Sequence, residues 1–317
     1  MVMKHSQQVL IFFMSLFLIT QVIGLGLVIL GSDIVTSVED EVVVREVVFS
    51  NTTVGERPDV EGEETIFAIV IGVFIGTVIL LLLSRLNKVN IWKHWFFLAS
   101  VITMSVSFGV LTQSSLLGWL LALILGAWKI YRSGLIIHNL TEIFIYPGIA
   151  LLLAPLLNVF YAIVLLILVS IYDAYAVWKS KHMVEMAKFA KSANLFPGLS
   201  LAYNEKSGSI TSSHVSKSSR SGKSKNKSKG VRMGILGGGD IAFPLIFAAV
   251  FLVQLLEAGF SSSVAFGYAF LISFFAGVSL LFLFVFGKKD RYYPAMPFIS
   301  AGCFVGYFVA LLLIGFL

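Results

Sequence analysis

Leu165–Trp178, LLILVSIYDAYAVW, and Met233–Phe247, MGILGGGDIAFPLIF, are apolar stretches that each enclose one aspartate, Asp173 and Asp240. A carboxylate in hydrocarbon is expensive, so an acid kept there marks a functional site by default. Two such acids, on either side of one long basic loop, point to shared chemistry.

The rest of the chain is of the same kind. Of its 317 residues 58% are hydrophobic and only 13% charged, which excludes a soluble domain with a charged surface. Apolar runs near the ~20-residue spanning length fall at 8–31, 65–84, 95–112, 115–131, 136–154, 158–178, 234–257, 262–287 and 296–317. They predict an all-α, polytopic membrane protein with nine transmembrane helices. The first run follows MVMKH; it exceeds the ~7–15 residues of a signal-peptide core and no small-x-small site follows it, so it reads as a retained helix.

Lys and Arg collect in cytoplasmic loops, which tests that count. With the amino terminus cytoplasmic and the carboxyl terminus outside, the inner loops carry Arg85, Lys88 and Lys93; Lys129 and Arg132; twelve Lys and Arg from Lys179 to Arg232; and Lys288, Lys289 and Arg291. The largest outer loop, 32–64, holds ten acids against Arg45 and Arg57, a net charge of −8. The formal charge of +6 is thus explained by topology and one loop, and nucleic acid is not an expected partner. Cys303 is the single cysteine, so no intrachain disulfide forms.

Three regions follow: a six-span part (1–178), a basic cytoplasmic loop (179–233) and a three-span part (234–317). Within the loop, KHMVEMAKFAKSANLF places Met183, Met186, Ala187 and Ala190 on one helical face, read equally as an interfacial helix or as an extension of span 6. Ser207–Gly230 is Ser, Lys and Gly with almost no apolar content, the composition of a disordered linker. The outer run EDEVVVREVVF suits a short hairpin, and Asn51-Thr52-Thr53 is a glycosylation sequon of low information. Gly72 with Gly76, and Gly302 with Gly306, are spaced for close helix packing.

Asp173 lies six residues before Lys179, roughly 9 Å along a helix, and Asp240 eight residues after Arg232, roughly 12 Å. The two acids therefore reach similar depths and face each other if spans 6 and 7 are neighbours. Two carboxyls a few Å apart in low dielectric do not both ionise; one keeps a proton and the other serves as base. This is the arrangement of aspartic proteolysis, in which one carboxylate activates water and the protonated partner polarises the peptide carbonyl. It requires neither metal nor cofactor. Gly237, Gly238 and Gly239 allow another main chain to approach closely, and Pro244 cannot donate to the carbonyl of Asp240, which predicts a loosened helix at the acid. Tyr293-Pro294-Ala295-Met296-Pro297 is a second irregular site, at the start of span 9.

Tyr172-Asp173 resembles the YD motif, Gly237-Gly238-Gly239-Asp240 the GxGD motif, and Pro294-Ala295-Met296 the PAL motif of the presenilin and signal peptide peptidase proteases, in the same order and over nearly the whole chain. Met296 stands where that family has Leu. Pro244 is closer to the signal peptide peptidase branch, and the short chain is similar to microbial, archaeal homologues. The resemblance implies an intramembrane aspartyl protease with Asp173 and Asp240 catalytic, and Tyr172 as a neighbouring gating or hydrogen-bonding residue. Gly237 and Gly239 would shape the site, and Pro294, Ala295 and Met296 would receive substrate. Substrates would be transmembrane helices, which must unwind before attack because their carbonyls are bonded internally; pairing the opened segment as an added strand near span 7 or Pro294 would satisfy them. Homo-oligomerisation is left open.

The competing reading is a proton or cation pathway built on the same acids. Zinc and serine intramembrane proteases do not fit, since there is no HExxH and no GxSG followed by a histidine-bearing span. His138, Asn139 and Glu142 form a polar patch read as interhelical hydrogen bonding, with Glu142 as a third acid the alternative.

Overall fold

A backbone in hydrocarbon must satisfy its own hydrogen bonds, so long apolar runs close into helices. A computed structural model describes residues 7–39, 42–57, 63–86, 89–132, 134–180, 197–204, 231–287 and 293–315. Among them are the helices α1 (Gln7–Leu30), α2 (Glu63–Arg85), α3 (Val89–Thr112), α4 (Ser115–Tyr131), α5 (Leu135–Leu153), α6 (Val159–Tyr175), α7 (Gly239–Glu257), α8 (Ser262–Phe286) and α9 (Met296–Gly315). Eight of these are long and apolar enough to cross a bilayer, and α4 is a shorter apolar helix. The segments 181–196 and 207–230, expected to hold the amphipathic stretch and the linker, lie outside the described residues.

The all-α expectation needs correction, because two antiparallel hairpins accompany the helices. In the first, β1 (Ser32–Glu39) pairs with β2 (Val42–Phe49), from Ser32↔Phe49 to Glu39↔Val42. The Val-rich run expected to form a hairpin supplies only its second strand. Thr53, just beyond, ties this region to the bundle: its hydroxyl bonds Ser105 at 2.9 Å and its carbonyl accepts from Trp119 Nε1 at 2.8 Å.

In the second hairpin, β3 (Gly198–Asn204) pairs with β4 (Val231–Gly237), with Gly198 opposite Gly237. Residues 234–237 are therefore strand, not the first turn of span 7, and most of the path from Arg232 to Asp240 is extended. The reason is local: glycine costs about 1 kcal/mol relative to alanine in a helix interior, and four lie between Gly234 and Gly239. A partner strand is available for them, and the Gly238 N–H closes the hairpin on the Pro197 carbonyl at 3.2 Å.

Helix α7 is the centre of the bundle. Thirteen of its nineteen residues are buried, and it packs against α1, α5, α6, α8 and α9. The helix runs on through Pro244, which lies in its second turn and leaves the Asp240 carbonyl without its i+4 donor. By contrast α2 has no buried residue after Ile66 among those described and presents Phe67 and Phe74 outward. Of the two small-residue pairs, Gly302 and Gly306 do serve close packing: a Cβ on Gly306 would lie 2.7 Å from Ile272 Cα. Gly72 and Gly76 do not, because nothing lies within 4 Å of a Cβ built on either.

Candidate active site

The end of α6 carries the first acid. Asn158 caps the helix, its side chain accepting from the Tyr161 N–H at 3.0 Å, and after Tyr175 the backbone widens into a π turn over Ala176–Ser180. Asp173 sits just before that change of pitch, a placement common at functional sites. The Ser170 and Ser300 hydroxyls bond at 2.8 Å and dock α6 on α9. Asp173 Oδ2 then accepts from the Met296 N–H at 3.0 Å, with the Ala295 backbone also bonded to the carboxyl. Met296 opens α9, and the first N–H groups of a helix have no internal partner. Pro294 and Met296 are buried and Ala295 half-buried, so the PAL-like segment meets the acid through main chain.

Asp240 lies in the first turn of α7, directly after β4. The Gly237 backbone hydrogen-bonds its carboxylate, and a Cβ on Gly237 would stand 3.0 Å from Oδ2. Gly238 is equally confined, since its Cβ would lie 2.9 Å from the Tyr146 hydroxyl. Gly239 is exposed and meets only Phe243, at an ordinary 3.5 Å. Helices α6 and α7 pack together, and Asp173 and Asp240 are close enough to interact electrostatically. Each carboxylate thus faces the amino end of a helix, where partial positive charge favours an anion.

A layer from α5 supports this centre. The Asn139 amide donates to the Ser200 carbonyl at 2.8 Å and accepts from its N–H at 2.9 Å, while His138 Nε2 reaches the Gly198 carbonyl at 2.8 Å. Glu142 accepts from Lys129 Nζ at 2.5 Å and from the Tyr146 hydroxyl, all of them buried. Glu142 thus bonds between helices, as favoured from sequence, whereas His138 and Asn139 bond the strand β3 rather than another helix. Lys129, by contrast, is corrected from a cytoplasmic loop charge to a fully buried partner of Glu142. On the other side, Gln21 of α1 donates to the Ile241 carbonyl at 3.0 Å and accepts from Ser273 of α8 at 2.9 Å. Sequence reading passed over Gln21 and Tyr146; an amide in the apolar middle of α1 was the available signal for the first, and nothing distinguished the second.

The Tyr172 hydroxyl bonds Thr77 of α2 at 3.0 Å, and Pro244 is buried in α7. A cavity of about 210 Å³, lined by Thr53, Arg57, Gln113 and Ser114 among others, opens at the opposite end of the bundle, where α3 ends and α4 begins.

A bundle of bilayer-length helices that brings two acids together at helix ends defines a polytopic membrane protein with a paired-carboxylate centre. Two solved structures share its fold. A presenilin family intramembrane aspartate protease in space group C222 superposes with a TM-score of 0.55 at 15% identity, covering 94% of each chain. The same kind of protease in space group P2 gives 0.57 at 16%, covering 95% of this chain and 96% of that one. No curated protein sequence matches. The chain belongs to the signal-peptide peptidase, presenilin aspartyl protease family, whose model matches residues 14–316. It is an intramembrane aspartyl protease, a hydrolase of the multi-pass membrane class. No observation favours the proton or cation pathway.

Proposed function

We propose that Asp173 and Asp240 are the catalytic pair. The observation that carries this reading is their electrostatic proximity across α6 and α7, with each carboxylate tethered by main chain, Asp173 by Met296 and Asp240 by Gly237. Sharing one proton, the ionised member draws a proton from water as that water attacks the scissile carbonyl, and the protonated member donates to the developing oxyanion. Collapse of the tetrahedral intermediate breaks the C–N bond, and the amine leaves with a proton from the pair. Substrates are transmembrane helices of membrane proteins or signal peptides.

Exposed Gly239 supports an approach by substrate main chain beside Asp240, because it has no Cβ to hold that chain off. The β3–β4 hairpin runs straight into the acid, and among the described residues β4 pairs only with β3. An unwound substrate segment that adds to its free edge satisfies its own backbone groups. All nine helices cross the membrane, with the amino terminus and the 179–233 loop cytoplasmic; the charge asymmetry of the loops supports this orientation.

Reconstitution with a single-span substrate and mass analysis of the products tests the assignment. Wild type should yield discrete products, and both Asp173→Ala and Asp240→Ala none. Cleavage that persists in either variant sinks it, and cation flux without cleavage would revive the pathway reading.

A further inference from the structure

We propose that Tyr146, locked by Glu142 and Lys129, is a positioning residue that sets the β4–α7 turn carrying Asp240. This rests on the reading of Asp240 as a catalytic acid. The phenol is fixed by a buried network. Its hydroxyl donates to Glu142 Oε2 one turn back on α5, and the other carboxylate oxygen takes Lys129 Nζ of α4 at 2.5 Å. Both oxygens are thus engaged, and the Lys129 ammonium also lies 5.0 Å from the centre of the Phe96 ring. Every member is buried, where a polar group without a partner is costly and a fully bonded network is rigid.

The phenol then acts on the turn. A Cβ on Gly238 would lie 2.9 Å from the hydroxyl oxygen and 3.0 Å from Cε1, so the ring rests directly on the Gly238 main chain. That residue cannot drift away, because its N–H is bonded to the Pro197 carbonyl. It is flanked by Gly237, whose backbone holds the Asp240 carboxylate. Tyr146 also interacts electrostatically with Asp240. Moreover, His138 and Asn139 of the same helix hold β3, the other strand of the hairpin. One face of α5 therefore grips the hairpin at β3 and at the exit of β4, and Tyr146 is the contact nearest the acid. A glycine at 238 and a tyrosine at 146 are complementary: the hydroxyl fills the space that any side chain at 238 would claim.

The test compares wild type, Tyr146→Phe, Gly238→Ala and the double variant in full-length protein, with folding followed by thermal melting. Tyr146→Phe should stay folded and lose about tenfold to a hundredfold in kcat, with KM changed by no more than about twofold, as expected for a misplaced reacting group rather than weakened binding. Gly238→Ala should be impaired alone, yet cost less in the Tyr146→Phe background, because the oxygen it strikes is gone. Lys129→Met combined with Glu142→Leu, which removes the acceptor of the phenol without stranding a charge, should reproduce the kcat loss. A folded Tyr146→Phe enzyme with wild-type kcat, or strictly independent effects at 146 and 238, overturns the proposal. Asp240→Asn separates the two readings: if it still cleaves, the catalytic assignment fails; if it is inactive while Tyr146→Phe matches wild type, only the positioning role fails.

Discussion

The side chain of Asn139 makes to Ser200 the pair of hydrogen bonds that a neighbouring strand would make, accepting from its N–H at 2.9 Å and donating to its carbonyl at 2.8 Å. Helix α5 thereby stands in for a third strand beside β3. Replacing Asn139 by Ala leaves a buried N–H and carbonyl unpaired, at about 1–3 kcal/mol. Hydrogen exchange should show amides 199–203 losing protection while α7 keeps its own. Unchanged protection in β3 would mean that the hairpin is held by other means.

The link between Met296 and Asp173 uses main chain, so the side chain and the N–H can be separated by mutation. Met296→Leu preserves both volume and donor, and activity should stay within about tenfold, the scale of a ~1.5 kcal/mol repacking cost. Met296→Pro suits the first position of α9 but deletes the donor, and loss of one preorganised donor costs about a hundredfold in kcat. Equal rates for the two variants would remove the N–H from the mechanism.

Activity should be bell-shaped in pH. Below the lower limb both carboxyls are protonated and none serves as base; above the upper limb both are ionised and none polarises the carbonyl. Single-turnover rates across pH, with chemistry limiting, measure this, and a flat profile would count against a shared proton.

The buried pair of Lys129 and Glu142 should be asymmetric under mutation. Glu142→Leu strands an ammonium with 0% of its side chain exposed, and breaking a buried pair in this way costs about 3–5 kcal/mol. Lys129→Met with Glu142→Gln should destabilise far less. Unfolding in bicelles provides the comparison; equal losses would argue that packing rather than charge dominates there.

Glycine spacing separates into two cases. Gly306→Leu must displace the Ile272 backbone, 2.7 Å from its Cβ, an overpacking cost of about 1–3 kcal/mol. Gly72→Leu enters open space and should stay within about 0.5 kcal/mol. If both destabilise alike, α2 packs more closely in the membrane than its contacts with α3 and α6 indicate.

Much of the architecture was legible in the chain because the bilayer is a simple solvent. The apolar runs coincide with α1 to α9 within a few residues, except that α3 begins well before its run and α7 begins after its run does. The two aspartates stood out for the same reason, as carboxylates in hydrocarbon. What misled was glycine: Gly234 and the triplet 237–239 read as part of an apolar helix, yet their low helix propensity yields to a strand once β3 is beside them. The same limit hid the non-resemblance of Gly72 to Gly306, whose identical i, i+4 spacing says nothing about which helix, if any, lies opposite.

The amino-acid sequence by itself determined the solvent of this protein, the presence of its long apolar helices and the placing of Asp173 and Asp240 in apolar runs, because each is a property of a contiguous segment. Only the tertiary structure decided that the Met296 N–H meets Asp173, that Tyr146 rests on Gly238, and that Lys129 is a buried partner of Glu142 rather than a surface charge. Those relationships join residues on different helices, and hydrophobic periodicity fixes which residues leave water without fixing which of them meet.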